Sequence, residues 1–181
     1  MNPLLLLVGP SGSGKTTVAD KLINLYGLKS VPSFTTRLPR YEGESCHRFI
    51  TYEEYLSLMM DKKLVAYTEI NGNFYGATKK DVDEAEIYII DPYGAIQFRR
   101  LYSTPRPLLY VYIECDEETC KDRMTSRGTP EEIEKRKFED EKIRADNKEA
   151  SKLFKSFTLA NDKTPEETAS YIYNEIYIKN F

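Results

Sequence analysis

The stretch Gly9-Pro-Ser-Gly-Ser-Gly-Lys-Thr16 decides the fold, because it matches the phosphate-binding loop pattern G-x-x-x-x-G-K-[ST] at every fixed position. The apolar run Leu4-Leu-Leu-Leu-Val8 before it has the length of a buried strand, and Val18-Ala-Asp-Lys-Leu-Ile23 after it reads as a helix. The alternative is a glycine-rich turn without a ligand. The two glycines, the lysine and the threonine match by chance in well under about one chain in a hundred of this length. The sequence therefore predicts that this loop binds the phosphates of a nucleotide.

Each part of the loop has a predicted role in holding ATP and Mg²⁺. The glycines let the backbone wrap around an anion, and the amides at the start of the helix point at phosphate oxygens. We expect Lys15 to reach the β- and γ-phosphates and the Thr16 hydroxyl to bind Mg²⁺. The residues predicted to contact the nucleotide here are Gly9, Ser11, Gly12, Ser13, Gly14, Lys15, Thr16 and Thr17.

The composition predicts a globular protein that acts on small molecules. The chain has 181 residues, of which 40% are apolar and 30% charged. A net charge of −3 gives no general attraction to nucleic acids or acidic membranes. Cys46, Cys115 and Cys120 lack the spacing of a metal site and are expected to be free thiols. No signal peptide or membrane-spanning run is visible, so we expect a cytoplasmic enzyme, monomeric or dimeric.

Strands that alternate with helices predict an α/β fold, in which a three-layer core contains a parallel sheet covered on both faces. The predicted core strands are 3–8, 86–90, 108–113 and 157–160, and the predicted helices are 15–26, 116–126, 131–155 and 165–178. A β-rich stretch interrupts this alternation and predicts an inserted lobe. The expected division is a core (1–32, 88–125 and 156–181), an acceptor-binding lobe (33–87) and a helical lid (126–155).

The lobe and the lid have their own local patterns. Thr51 and Glu54 form a capping-box pattern before an apolar helix face. Asn71-Gly-Asn73 is a turn signal between predicted strands 64–70 and 74–78, and a short helix over 78–82 is expected to follow. The long predicted helix 131–155 is highly charged with little apolar face, which is typical of a solvated helix or of one that covers a site transiently.

A second anion site is predicted from Ser33-Phe-Thr-Thr-Arg37-Leu-Pro-Arg40-Tyr-Glu-Gly-Glu44. Arg37 and Arg40 lie three residues apart beside hydroxyl groups, and Pro39 keeps the segment out of a helix. Guanidinium groups are charged at any physiological pH and bind phosphate through fixed, fork-shaped donors. An arginine pair on a solvated loop is the alternative that this segment alone leaves open.

Together, these motifs resemble the guanylate kinase family of nucleoside monophosphate kinases. The resemblance covers nearly the whole chain and continues in Gly72-Asn-Phe-Tyr-Gly76, in Arg127-Gly-Thr129 with Arg136, and in Asn161-Asp162. It implies transfer of the ATP γ-phosphoryl group to a nucleoside monophosphate, GMP or dGMP in the first place. A core that binds ATP and Mg²⁺, a lobe that binds the acceptor and a lid that closes over both are also implied.

The resemblance also implies individual residue roles. Residues matching Arg37, Arg40 and Tyr75 bind the acceptor phosphate in that family, and those matching Ser33 and Asp91 contact the guanine side. The residue matching Asn161 lies near the adenine of ATP. Arginines from the lid region stabilise the transferred phosphoryl group, and they match Arg123, Arg127 and Arg136.

Four positions depart from the family pattern. His47 stands where a phosphate-contacting tyrosine is usual, and Ala66 stands where a glutamate reads guanine. Glu69 lies three residues further on a strand, so we expect it on the opposite face from Ala66. Ala77 replaces a Ser/Thr, and Ile89 replaces the first carboxylate of an Asp-x-Asp pair.

These departures affect positions that recognise the base more than positions that bind the phosphates. One good bidentate base contact provides about 1–3 kcal/mol of discrimination, so guanine selectivity is expected to be relaxed. Two alternatives stay open at this point. One is a kinase of the same fold for another deoxynucleotide or for ribose 1,5-bisphosphate, and the other is a non-enzymatic guanylate-kinase-like interaction module. For His47 itself, a phosphate contact, a catalytic base and a surface loop histidine remain open.

Overall fold

The computed structural model describes residues 2–39, 42–44, 47–70, 72–125, 130–160 and 162–181, with the backbone alone at 124 and 130–139. The strands are β1 (Leu4–Val8), β2 (Phe34–Thr35), β3 (Arg48–Phe49), β4 (Leu64–Ile70), β5 (Asn73–Thr78), β6 (Ile87–Ile89), β7 (Leu108–Glu114) and β8 (Lys155–Ala160). The helices are α1 (Lys15–Tyr26), α2 (Tyr52–Met60), α3 (Lys79–Asp83), α4 (Pro92–Leu101), α5 (Glu117–Thr125), α6 (Pro130–Ala150) and α7 (Pro165–Tyr171).

The core is a parallel sheet with the strand order β6-β1-β7-β8. Every residue of β1 is fully buried, as expected for a central parallel strand covered on both faces. Leu5 and Leu7 point toward α1 and α7, whereas Leu4, Leu6 and Val8 point toward α4 and the end of α6. The predicted three-layer α/β core is therefore confirmed.

The helix ends follow from local chemistry. α1 begins directly after the glycine-rich loop and ends at Gly27, whose left-handed backbone lets its N–H bond the Ile23 carbonyl. α4 was not among the predicted helices. It begins with Asp91 as N-cap and Pro92 at its first turn, a start signal that the sequence contains. Two helical segments, Ile172–Tyr177 and Ile178–Asn180, continue α7 to the end of the chain.

The long charged helix differs from its prediction in length and in packing. α6 ends at Ala150 rather than at residue 155, and a short turn of 3₁₀-helix leads into β8. One face of its C-terminal half is covered by the core, because Ala150 is buried and Ile143 packs against the core. Tyr110 in β7 donates a hydrogen bond to Asn147 at 2.8 Å. The sequence did not predict this packing, because the helix presents few apolar side chains.

A second sheet has the order β3-β2-β5-β4. One of its faces packs on α2 through Phe34, Tyr55 and Phe74. The opposite face carries the cross-strand pairs Ala66–Ala77 and Thr68–Tyr75. Both alanines are buried against the main core, which joins this sheet to the rest of the molecule.

Residues on the two faces of β4 alternate as the sequence predicted. Glu69 pairs with Phe74 on the α2 side, and its charge contributes to raising the pKa of Tyr55 to about 12, which is due mainly to burial. Glu69 and Ala66 therefore lie on opposite faces. Among the helices of the described ranges, none is both long enough and apolar enough to cross a membrane.

Candidate nucleotide site

The loop between β1 and α1 wraps around the ammonium group of Lys15. Its Nζ donates to the Gly9 carbonyl at 2.8 Å and to the Pro10 carbonyl at 2.6 Å. Burial lowers the pKa of Lys15 to about 8, while the negative charge of Asp140 in α6 opposes this shift. The loop thus holds a cation in surroundings of low polarity, where an anion is bound more strongly than in water.

The loop rests on α5, the helix that follows β7. A Cβ atom built on Gly12 would lie 2.7 Å from the carbonyl oxygen of Cys120, and Gly12 has a left-handed φ of +76°. Arg123 Nη1 donates to the Gly12 carbonyl at 3.2 Å and approaches Cys115 Sγ at 3.8 Å. Arg123, predicted to serve the transferred phosphoryl group, therefore lies at the phosphate-binding loop.

Gly12 and Gly27 allow a matched test of this packing. Both have left-handed φ angles, but nothing lies within 4 Å of a Cβ atom at Gly27. We expect Gly27→Ala to lower the free energy of unfolding by about 1–2 kcal/mol and to leave ATP affinity unchanged. Gly12→Ala should weaken ATP binding about tenfold or more, because the loop amides must shift away from α5. Calorimetric titration with ATP checks this, and equal ATP affinity in the two variants contradicts the predicted role of the contact.

Thr16 and Asp91 are the described groups suited to Mg²⁺. The Thr16 side chain is exposed in the first turn of α1, and Asp91 is half-buried at the end of β6. Asp91 Oδ1 accepts from the Gly94 amide at 2.9 Å, and burial raises the pKa of Asp91. The Asp91 charge influences the pKa of Lys15 less than burial and the charge of Asp140 do, and the predicted contact of Asp91 with guanine stays a prediction.

A hydroxyl group and one carboxylate fit Mg²⁺, which usually takes few protein ligands and completes its shell with water and phosphate oxygens. The described part of the chain contains no cluster of three or more His, Cys, Asp or Glu side chains that could hold a metal ion by itself. A metal at this site would therefore depend on the phosphates of the nucleotide.

Arg37 is the centre of a second polar cluster, on the loop that follows β2. Its two terminal nitrogens donate to the two carboxylate oxygens of Glu44, at 2.8 and 3.1 Å. The Glu44 side chain is only 1% exposed. This hydrogen-bonded pairing is the main reason that the pKa of Arg37 is raised. Among the described residues, no hydrogen-bond partner is found for Arg37 Nε, which is itself buried.

Three predicted acceptor residues surround Arg37. Ser33 Oγ and His47 Nδ1 lie 2.9 Å apart, and the rings of His47 and Tyr75 meet edge to face with centroids 5.7 Å apart. Tyr75 lies close enough to contribute to the raised pKa of Arg37. His47 is therefore part of this cluster rather than an isolated surface histidine. The structure brings together Ser33, Arg37, His47 and Tyr75.

The structure does not describe the side chains of four predicted site residues. Arg40, Arg127 and Asn161 lie outside the described residues, and Arg136 is described by its backbone alone. Their roles stay predictions.

Sequence reasoning also missed two charged residues. Glu44 positions Arg37, but the sequence indicated it only as the last residue of the second anion motif. Asp140 lies in a helix where charged residues are frequent, and no local signal distinguished it.

A parallel sheet with a phosphate-binding loop after its first strand defines a P-loop nucleotide-binding protein. A model of the AAA domain matches residues 5–144. The guanylate kinase of Dechloromonas aromatica is 30% identical over 145 residues, covering 74% of this chain and 70% of the relative. That of Lactobacillus delbrueckii subsp. bulgaricus is 34% identical over 140 residues, covering 71% and 67%. The chain belongs to the guanylate kinase family.

Solved structures show the same fold. The guanylate kinase from Anaplasma phagocytophilum has a TM-score of 0.65 at 23% identity, covering 99% of this chain and 87% of that one. A deoxyadenosine kinase from M. mycoides has a TM-score of 0.55 at 13% identity, covering 95% and 97%. Some sequence matches are partial: the chain spans 65% of the guanylate kinase of Clostridium acetobutylicum, at 33% identity over 138 residues and 71% of this chain. It spans 51% of the A. phagocytophilum relative, at 33% identity over 109 residues and 54% of this chain.

Proposed function

We propose that this protein transfers the γ-phosphoryl group of ATP to GMP or dGMP. The observation that carries the proposal is the Arg37 cluster. A guanidinium held by a buried carboxylate, beside a histidine and a tyrosine, has the donors that a phosphate monoester requires. The relatives named guanylate kinase support GMP as the acceptor.

The donor side of the reaction is the phosphate-binding loop. The loop amides and Lys15 would hold the β- and γ-phosphates of ATP. Mg²⁺, when bound, neutralises charge on the phosphate oxygens, and Thr16 and Asp91 would hold it. Arg123 reaches the same loop and would stabilise charge on the phosphoryl group in transit.

The acceptor side needs no strong base, because an oxygen of the GMP phosphate is already anionic. Arg37 and Tyr75 would fix that phosphate in line with ATP, with Arg40 as a further donor. Ser33 and His47 would contribute hydrogen bonds to the acceptor. Catalysis then consists of positioning two anions and neutralising the charge between them.

We infer that three units share this work. The core (1–32, 88–125 and 156–181) binds ATP, the lobe (33–87) binds the acceptor, and the lid (126–155) closes over both. Lid closure would bring Arg127 and Arg136 to the transferred group and exclude water. Asn161 would lie beside the adenine.

Base selectivity is expected to be relaxed. Ala66 and Ala77 are 1% and 0% exposed and offer no hydrogen bond to a base. Thr68 lies on the same face of the sheet, opposite Tyr75, and is a candidate hydroxyl contact that the sequence did not reveal. Without a carboxylate, discrimination against other bases falls by about one to two orders of magnitude.

The acceptor is tested by measuring phosphoryl transfer from ATP to GMP, dGMP, AMP, UMP and ribose 1,5-bisphosphate side by side. We expect the highest kcat/KM for GMP and dGMP. A higher value for the sugar bisphosphate, or no transfer to any acceptor, would contradict the proposal.

A further inference from the structure

A carboxylate of α6 contacts the phosphate-binding loop. Asp140 is 8% exposed, and its Oδ1 accepts a hydrogen bond from the Ser11 amide at 2.8 Å. The Ser11 side chain also favours the ionised form of this carboxylate and lowers the pKa of Asp140, against the larger opposing effect of burial. Of the charges that act on the pKa of Lys15, that of Asp140 is the largest. An amide, a hydroxyl and an ammonium group of the loop therefore all act on one anion.

These donors are the groups that phosphate-binding loops offer to a nucleotide. A carboxylate resembles a phosphate because both carry anionic oxygens that accept short, charge-assisted hydrogen bonds. The two anions compete for the same donors and repel each other. Asp140 and the terminal phosphates of ATP are consequently not expected to occupy the loop at the same time.

The surroundings of Asp140 fit an exchange of anions. Arg144 lies one helical turn further along α6, and its charge stabilises the Asp140 carboxylate. The charge of Asp140 also raises the pKa of Cys120 in α5 and that of Tyr112 in β7, although burial is the largest cause for each. A carboxylate released from Ser11 would thus remain under the influence of a positive charge on its own helix.

We propose that Asp140 is a positioning residue that ties α6 to the phosphate-binding loop before ATP binds and is displaced by the ATP phosphates. This inference rests on the proposed function, because the donor phosphate is the displacing anion. The other end of α6 stays anchored through Asn147 and the buried Ala150. The segment from Pro130 to Asp140 is about 15 Å long at 1.5 Å per residue. Release of Asp140 lets this segment, which carries Arg136, reorient when the donor arrives.

The proposal links two measurable quantities. Asp140 stabilises the nucleotide-free protein but not the ATP-bound one. Removing its charge must therefore lower the stability of the free protein and raise the affinity for ATP by the same free energy. A residue that only supports the shape of the loop would lower both.

The test compares Asp140→Asn with Glu141→Gln, an exposed neighbour on the same helix. Calorimetric titrations use ATP and, as a probe of the loop alone, inorganic pyrophosphate. We expect Asp140→Asn to bind both about tenfold more tightly and to melt at a lower temperature without nucleotide, but at an unchanged temperature with saturating ATP. Glu141→Gln should behave as the unaltered protein. Equal or weaker binding by Asp140→Asn overturns the proposal.

Amide hydrogen exchange on the unaltered protein is a second, independent measurement. Pyrophosphate should speed exchange in α6 on the N-terminal side of Asp140, and slower or unchanged exchange there overturns the proposal. These outcomes are separable from the acceptor assignment. Tighter ATP binding by Asp140→Asn without any GMP phosphorylation would support the displacement and contradict the proposed acceptor. GMP phosphorylation with unchanged ATP affinity in Asp140→Asn would support the proposed acceptor and contradict the displacement of Asp140.

Discussion

Replacing Lys15 with alanine is expected to lower kcat for phosphoryl transfer at least about a thousandfold. The Lys15 ammonium lies inside the loop, bonded to the Gly9 and Pro10 carbonyls, and no other described lysine makes these contacts. In the proposed reaction it is the fixed positive charge on the β- and γ-phosphates. Without it, the charge that develops on these phosphate oxygens during transfer would lose one of its fixed positive partners. A coupled assay of ADP formation with ATP and GMP measures the loss.

Lys21 is the matched control for this variant. It lies on the same helix and pairs with Glu166 at the surface, away from the loop. Lys21→Ala should retain full activity. Lys15→Met keeps the length of the side chain without its charge, so it separates catalysis from loop folding. A rate within tenfold of the unaltered protein in Lys15→Met, with the fold intact by circular dichroism, would contradict the role given to this residue.

Arg37→Lys is expected to reduce kcat/KM for GMP about 100-fold or more, while the affinity for ATP stays unchanged. Lysine keeps the charge beside Glu44 but loses the planar fork that donates to both Glu44 oxygens, so the positive charge is no longer held in a fixed position. The loss should appear mainly in KM for the acceptor, because the phosphate is bound less well before transfer. Initial rates with varied GMP at saturating ATP give this division.

The control and a second variant address folding. Arg48→Lys changes an exposed arginine on the neighbouring strand, which pairs with Asp81 at 3.7 Å, and should leave kcat/KM unchanged. Removing Arg37 alone would take from the buried Glu44 carboxylate the guanidinium that neutralises it, and breaking such a buried pair costs about 3–5 kcal/mol. The double variant Arg37→Met, Glu44→Met avoids that charge and should fold but lose GMP phosphorylation. Normal kcat/KM in Arg37→Lys or in the double variant would show that the acceptor binds elsewhere.

The features that the sequence predicted well are those decided over short distances along the chain. The loop after β1, the capping box at Thr51 and Glu54, and the turn before β5 each depend on neighbouring residues. The buried strand β1 was predictable because a parallel strand covered on both faces reads as a continuous apolar run, and five apolar residues directly precede the loop. The alternation that separates Glu69 from Ala66 follows in the same way from strand geometry.

What the sequence could not reveal depends on contacts between distant segments. Ser11 and Asp140 are 129 residues apart, and nothing near either one indicates the other. The two-residue strands β2 and β3 form only because β5 offers β2 a partner, and no apolar period marks them. α6 ends at Ala150, which is packed on the core, whereas no glycine or proline marks this end in the sequence. α4 differs from these cases, because its start signal, Asp91 followed by Pro92, is local and would have predicted the helix.

In the candidate site, too, local motifs were predictable and contacts between distant segments were not. The donor loop and the arginine pair of the second anion site followed from their own residues, whereas His47 and Tyr75 were assigned to that site through the family resemblance. Ser33 and His47 are 14 residues apart and meet through the pairing of β2 with β3. The pairing of Arg37 with the buried Glu44 was missed because the burial of a carboxylate depends on the complete fold.

The central claim is that the Lys15 loop and the Arg37 cluster hold two phosphate chains in line. The most direct test is the affinity for a single molecule in which adenosine and guanosine are joined by five phosphates. If both sites are engaged at once, it should bind at least about 100-fold more tightly than ATP or GMP alone, and either Lys15→Met or Arg37→Lys should remove that gain. Binding no tighter than that of the better single nucleotide would contradict the account.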